Sequence, residues 1–161
     1  MKETPIQRVC HIMARLRAPD GCPWDQEQNH HSLRFHAVEE VYELIDAIEM
    51  ENDGEMREEL GDLLLQVIFH CQLAHERKAF DFDAVCSELA DKLVRRHPHV
   101  FGDKTIEDVE GVWTQWEAIK RSEKKGTLEE RHSALDGIPR HLPALQYAEK
   151  MAKKARKVAP L

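Results

Sequence analysis

The sequence predicts an all-α protein, a helical bundle completed by oligomerisation. Apolar residues recur at three- and four-residue spacing in one segment after another, and no segment sustains an apolar–polar alternation. Prolines and glycines then cut the chain into helix-length pieces. Its 161 residues, 42% hydrophobic and 33% charged, suit a water-facing globule rather than a disordered chain. The longest apolar stretch, Leu63 to Phe69, is short and broken by Gln66, so no membrane partner is expected. MKETPIQRV at the amino terminus lacks the apolar core of a secretory signal, and a cytoplasmic location is expected.

A first helix is expected over about Pro5 to Arg17, with Val9, Ile12, Met13 and Leu16 on one stripe. The segment Ala18 to Asp25 holds two prolines and a glycine and reads as a loop. A second helix runs from about Ser32 to Glu51, with Val38, Val41, Leu44, Ile45 and Ile48 along one side. Asn52, Asp53 and Gly54 supply turn chemistry. The third, about Glu55 to Arg77, carries Leu60, Leu63, Leu64, Val67, Ile68 and Cys71, with Leu65 and Phe69 opposite. A helix apolar nearly all round is buried on both sides, which one small domain does not achieve alone. A homodimer or higher homo-oligomer with a shared bundle is therefore expected.

A fourth helix starts after Asp81 or Asp83 and stops at Pro98. The fifth opens at Thr105, four residues with the T-x-x-D pattern to Asp108, and continues to about Lys124. Residues 133–143 read as a loop, and a basic helix spans about Ala144 to Lys157. Four scattered cysteines form no C-x-x-C pair, and the spacing of Cys22 to His30 and His31 matches no standard zinc pattern.

Charge is distributed unevenly. Between Glu39 and Asp62 stand eleven acidic residues and one basic residue, a local charge of −10 within a net −7. That pattern suits a site recruiting cations and argues against a nucleic-acid polymer as partner, which would need a basic face. Within it, Glu40 and Glu43 lie three apart on the second helix, and Glu59 and Asp62 three apart on the third. Such pairs are surface neighbours, and a short turn makes the two helices antiparallel neighbours. The pairs are offset by about one helical turn, a gap that long Glu side chains or a small helix shift closes. Two unit charges 4 Å apart repel by about 4 kcal/mol near a protein surface, so the cluster must take up protons or cations. Oxygen-only ligands select hard ions, Mg²⁺ first and Mn²⁺ second. The plain alternative is acidic decoration of solvated faces. A di-iron site needs Glu-x-x-His on two helices, and neither pair is followed by such a histidine.

The succession Gly21-Cys-Pro-Trp-Asp25, Glu39-Glu-Val-Tyr-Glu43, Glu59-Leu-Gly-Asp62, Asp91-Lys-Leu-Val-Arg-Arg-His-Pro-His99 and Trp116-Glu-Ala-Ile-Lys120 resembles the MazG family. The resemblance covers about Val9 to Lys157. It implies an oligomeric all-α fold that hydrolyses nucleoside triphosphates between the α- and β-phosphates with Mg²⁺. It also implies a catalytic domain over residues 1–125, with a loop and basic helix over 126–161. Glu40, Glu43, Glu59 and Asp62 match the family's metal ligands, Lys92 and Arg96 its basic pair, and Trp116 with Lys120 a further substrate-contacting pair.

Chemistry read from the residues agrees with this. Lys92 and Arg96 are four apart on one helix face with Arg95 nearby, a set suited to phosphate oxygens. Trp116 and Lys120 are one turn apart, so the ring is either core or the edge of a nucleotide pocket. Trp24 is expected to anchor its loop on the helices. Cleavage needs neutralised phosphates and a water held in line, with Glu39 or Glu40 as the general base. The alternatives are a non-catalytic nucleotide- or metal-binding regulator, the inactive half of a longer two-module enzyme, or a structural helical domain.

Overall fold

The structure, a computed structural model, describes residues 2–128, 130, 132–133 and 135–156. It is all-α: the described residues form eight helices and no strand. In order they are α1 (Pro5–Leu16), α2 (Pro23–Glu27), α3 (Arg34–Glu49), α4 (Asp53–Glu76), α5 (Phe82–Arg96), α6 (Pro98–Phe101), α7 (Val109–Lys124) and α8 (Ala144–Arg156). Lys157, expected to close the last helix, lies outside the described residues. None of these helices is long and apolar enough to cross a membrane. Residues 1–90 and 91–161 form two compact units.

Two short helices correct the sequence reading. Pro23 opens a helix inside the expected loop, and Pro98, where α5 ends at Arg96 as expected, also opens a short one, because the first helical position has no use for an N–H and favours proline's fixed φ. The turn after α3 also comes earlier than expected. Met50, Glu51 and Asn52 make it, and Asp53 and Gly54 already belong to α4. Glu51 is left-handed at φ 53°, and the Asn52 N–H reaches back to the Ala47 carbonyl at 3.2 Å while Glu51 N–H reaches Ile48 at 3.1 Å. The Asn52 side chain then caps α4 by accepting from Gly54 and Glu55. One residue thus closes one helix and opens the next, which fixes the α3–α4 hairpin tightly.

Within residues 1–90, α3 and α4 pack along one another and α1 packs on α4. Met13, Leu33, Ile68, Phe69 and Leu73 form the core, with Ile6, Cys10 and Phe82 against it. Gly21 sits so close to the end of α1 that a Cβ there would fall 2.1 Å from the Leu16 carbonyl oxygen. Trp24 meets Phe69 and His36 edge-on, fastening the α2 region to the hairpin as the sequence predicts.

The face by which α3 meets the protein interior is not its apolar stripe. Ala47 is its one buried residue, and Glu40 and Leu44 share that side. Val38, Val41, Ile45 and Ile48 are each 40% exposed or more, as are Leu60 and Val67 of α4, with Leu64 just below.

Arg17 is the strongest tie between α1, α2 and α4. Its side chain is 8% exposed and grips Glu76 with two nitrogens at 2.7 and 2.8 Å. It also donates to the Asp25 and Gln28 carbonyls and lies over the Phe69 ring. Arg17→Ala is expected to cost about 1.5–3 kcal/mol, since it removes charge-assisted hydrogen bonds to Glu76, which keeps only Gln72 at 3.0 Å, and a donor to two carbonyls. The guanidinium holds the Glu76 carboxyl below its ordinary value. A depressed carboxylate stabilises above its unfolded pKa and loses that contribution as pH falls through the folded one. The gap between parent and variant in thermal melts should therefore narrow as pH drops below about 4.5; a gap that stays constant there would refute the pairing.

Residues 91–161 hold the end of α5 with α6, α7 and α8, and none of these helices has a fully buried residue. The start of α7 differs from expectation. Asp108, not Thr105, caps it, its carboxylate accepting from Gly111 N–H at 2.7 Å.

Candidate metal centre

The α3–α4 hairpin gathers acid from both helices. One carboxylate oxygen from each of Glu40, Glu43 and Glu59 lies within 4.8 Å of the other two. Three-residue spacing puts Glu40 and Glu43 on one side of α3, and the tight turn brings Glu59 of α4 opposite. Asp62 stands outside that trio, half-buried, and near enough for its charge to act on Glu40 and Glu59. Glu39 is exposed, with His36 Nδ1 3.7 Å from its carboxylate.

Electrostatics follow from the crowding. Burial, then the charges of Asp62 and Glu43, push the Glu40 carboxyl above its ordinary value, opposed by a hydrogen bond from Gln66. Burial and the charges of Glu43 and Asp62 do the same to Glu59. These groups are uncomfortable as anions without a counter-charge, and no Lys or Arg pairs with them among the described ion pairs. A set of oxygen ligands carrying several negative charges fits a hard divalent cation. Cys22, His30 and His31 make no such group. Instead His30 and His70 stack, with their Nδ1 atoms 2.8 Å apart.

The basic residues fall in the other unit and are already engaged there. Glu123 of α7 accepts from Arg95 at 2.6 Å and from Arg96 at 2.6 and 3.1 Å, and the two arginines hold its carboxyl below its ordinary value. The Arg96 guanidinium lies over the Trp116 ring, and His97 meets that ring edge-on. Lys120 pairs with Glu117 at 3.6 Å. Lys92 is half-buried and makes no ion pair among the described residues. Sequence reasoning missed Glu123, because its partners lie 27 and 28 positions away. It also missed Gln66, a neutral residue inside an apolar run.

Residues 28–101 match the model of the MazG nucleotide pyrophosphohydrolase domain, which takes in the whole carboxylate hairpin and Lys92, Arg95 and Arg96. Residues 28–101 form a MazG domain. It is 48% identical over 154 residues to the nucleoside triphosphate pyrophosphohydrolase of Escherichia coli K12, covering 95% of this chain and 58% of that protein. It is 46% identical over 160 residues to the nucleoside triphosphate pyrophosphohydrolase/pyrophosphatase MazG of Thermotoga maritima, covering 98% and 60%. The chain thus spans about three fifths of the length of these MazG relatives. In fold it is similar to the crystal structure of a MazG-related protein from Thermotoga maritima, with a TM-score of 0.59 at 22% identity over 71% of this chain and 97% of that one.

Proposed function

We propose that this chain hydrolyses nucleoside triphosphates between the α- and β-phosphates, giving monophosphate and pyrophosphate, and that it does so in the cytoplasm with Mg²⁺ or, in its place, Mn²⁺. The observation carrying this reading is the convergence of Glu40, Glu43 and Glu59 within 4.8 Å on one helical hairpin. The names of the relatives support the reaction class.

In this reading Glu40, Glu43, Glu59 and Asp62 hold the cation. When bound, it neutralises phosphate oxygens and makes a neighbouring water more acidic. Glu39 or Glu40 accepts the proton of the attacking water. Lys92, Arg95 and Arg96 stabilise the charge growing on the leaving pyrophosphate, with Glu123 giving way as the phosphates arrive. Trp116 and Lys120 border the nucleotide. The functional module runs over residues 1–125, which hold every one of these groups, with 126–161 appended to it.

Oligomerisation belongs to the same reading. The exposed stripes of α3 and α4 are what a second copy would cover, and fully burying one aliphatic side chain stabilises by about 1.5–3 kcal/mol.

The deciding experiment incubates the chain with each common nucleoside triphosphate and Mg²⁺ and measures phosphate and pyrophosphate separately. Monophosphate with pyrophosphate is expected. Orthophosphate with a diphosphate would overturn the cleavage site, and binding without product would make the chain a regulator.

A further inference from the structure

We propose that Gln66 is a positioning residue for the cation site, orienting Glu40 through its buried amide; this rests on the cation reading above. Gln66 is the single polar residue fully buried in α4, at 7% exposure, among Ile68, Phe69, Cys71, Leu73 and Ala74. Its amide nitrogen donates to Glu40 Oε1 at 3.4 Å. The amide must face this way, because an ionised carboxylate only accepts. Its carbonyl oxygen is thereby left buried with no donor among the described residues.

Such a residue is expensive to keep. An orphaned buried amide carbonyl is destabilising, and a methionine or leucine would fill the same space without that penalty. Residues 59, 62, 66 and 70 are spaced three, four and four apart, so Glu59, Asp62, Gln66 and His70 share one polar face of an otherwise apolar helix. His70 is engaged by His30, their Nδ1 atoms 2.8 Å apart, and gives Gln66 no donor. What remains for the amide is the carboxylate site.

Its chemistry suits that place. A lysine there would also hold Glu40, but its charge would neutralise the site and displace a cation. A neutral amide fixes the carboxylate by one lone pair of one oxygen and leaves the remaining lone pairs, and the full negative charge, for the ion. Outer-shell hydrogen bonds of this kind typically change metal affinity by 10–100-fold when removed.

The test uses the full chain and two apolar substitutions, Gln66→Met and Gln66→Leu, the second guarding against a packing defect peculiar to the first. Mn²⁺ binding is titrated calorimetrically without nucleotide, and thermal melting is followed in chelator. The expected result is a Mn²⁺ Kd raised about 10–100-fold in both variants, with melting temperature unchanged or higher because the orphaned carbonyl is gone. A purely structural glutamine gives the reverse, a lower melting temperature with Mn²⁺ affinity within threefold of the parent, and that would overturn the proposal. A parent chain that takes up no Mn²⁺ would overturn the cation reading itself, an outcome visible before any variant is made.

Discussion

Glu59→Gln is expected to lower turnover by about 10³-fold or more while leaving the helical fold intact. The change keeps the shape of the side chain and removes one charge from the trio of Glu40, Glu43 and Glu59. A cation that stabilises the transition state contributes several kcal/mol, and each 1.4 kcal/mol is about tenfold in rate. Stability should move the other way. The Glu59 carboxyl is pushed above its ordinary value in the folded chain, so its ionised form is disfavoured there. A group of this kind contributes favourably below its unfolded pKa, and the contribution is lost as pH rises through the folded one. At neutral pH without metal, the neutral glutamine should therefore melt no lower than the parent. Steady-state pyrophosphate release and a melting curve in chelator, run on the same sample, check both halves. Turnover within tenfold of the parent would remove Glu59 from the ligand set.

Ile45→Glu should convert an oligomer into a monomer. Ile45 lies in the middle of the exposed α3 stripe, between Val41 and Ile48 and clear of the buried Ala47 side. In the isolated chain a glutamate there stays in water and should shift stability by no more than about 0.5 kcal/mol. Across an apolar interface it would be buried unpaired, at a cost of several kcal/mol in each copy. That weakens association by more than about a hundredfold. Sedimentation should give a multiple of 18.7 kDa for the parent and 18.7 kDa for the variant. A parent that sediments as a monomer at tens of micromolar would end the proposal.

These two positions also show what the sequence does and does not reveal. The helices around Glu40, Glu43 and Glu59 are legible because the 3.6-residue period and an acidic spacing of three act within a single element. The direction an apolar stripe faces is not legible, since Val38, Val41 and Ile45 satisfy the same pattern whether they meet α4 or another molecule. Pro23 misleads for a local reason, because a proline that breaks a helix and one that starts it look alike until the preceding turn is known. Asp108 outcompetes Thr105 as the cap because Gly111 lets its carboxylate reach the helix N–H; a Cβ there would lie 3.0 Å from the Asp108 oxygen and 2.8 Å from an Ile106 methyl. The basic residues were visible as a motif, whereas their pairing with Glu123 depends on how α5 and α7 pack, which no local pattern encodes.

The α3–α4 hairpin carries a consequence for the order of events during synthesis. Every carboxylate of the trio comes from residues 34–76, joined by a turn of three residues that Asn52 closes from both sides. Contacts this local form on the microsecond scale, far ahead of translation at about 5–20 residues per second. The carboxylate hairpin is therefore complete while residues 91–161 are still being made. A divalent ion captured at that stage would act on the nascent chain as a folding clamp, offsetting the mutual repulsion of the acids before Arg95 and Arg96 exist.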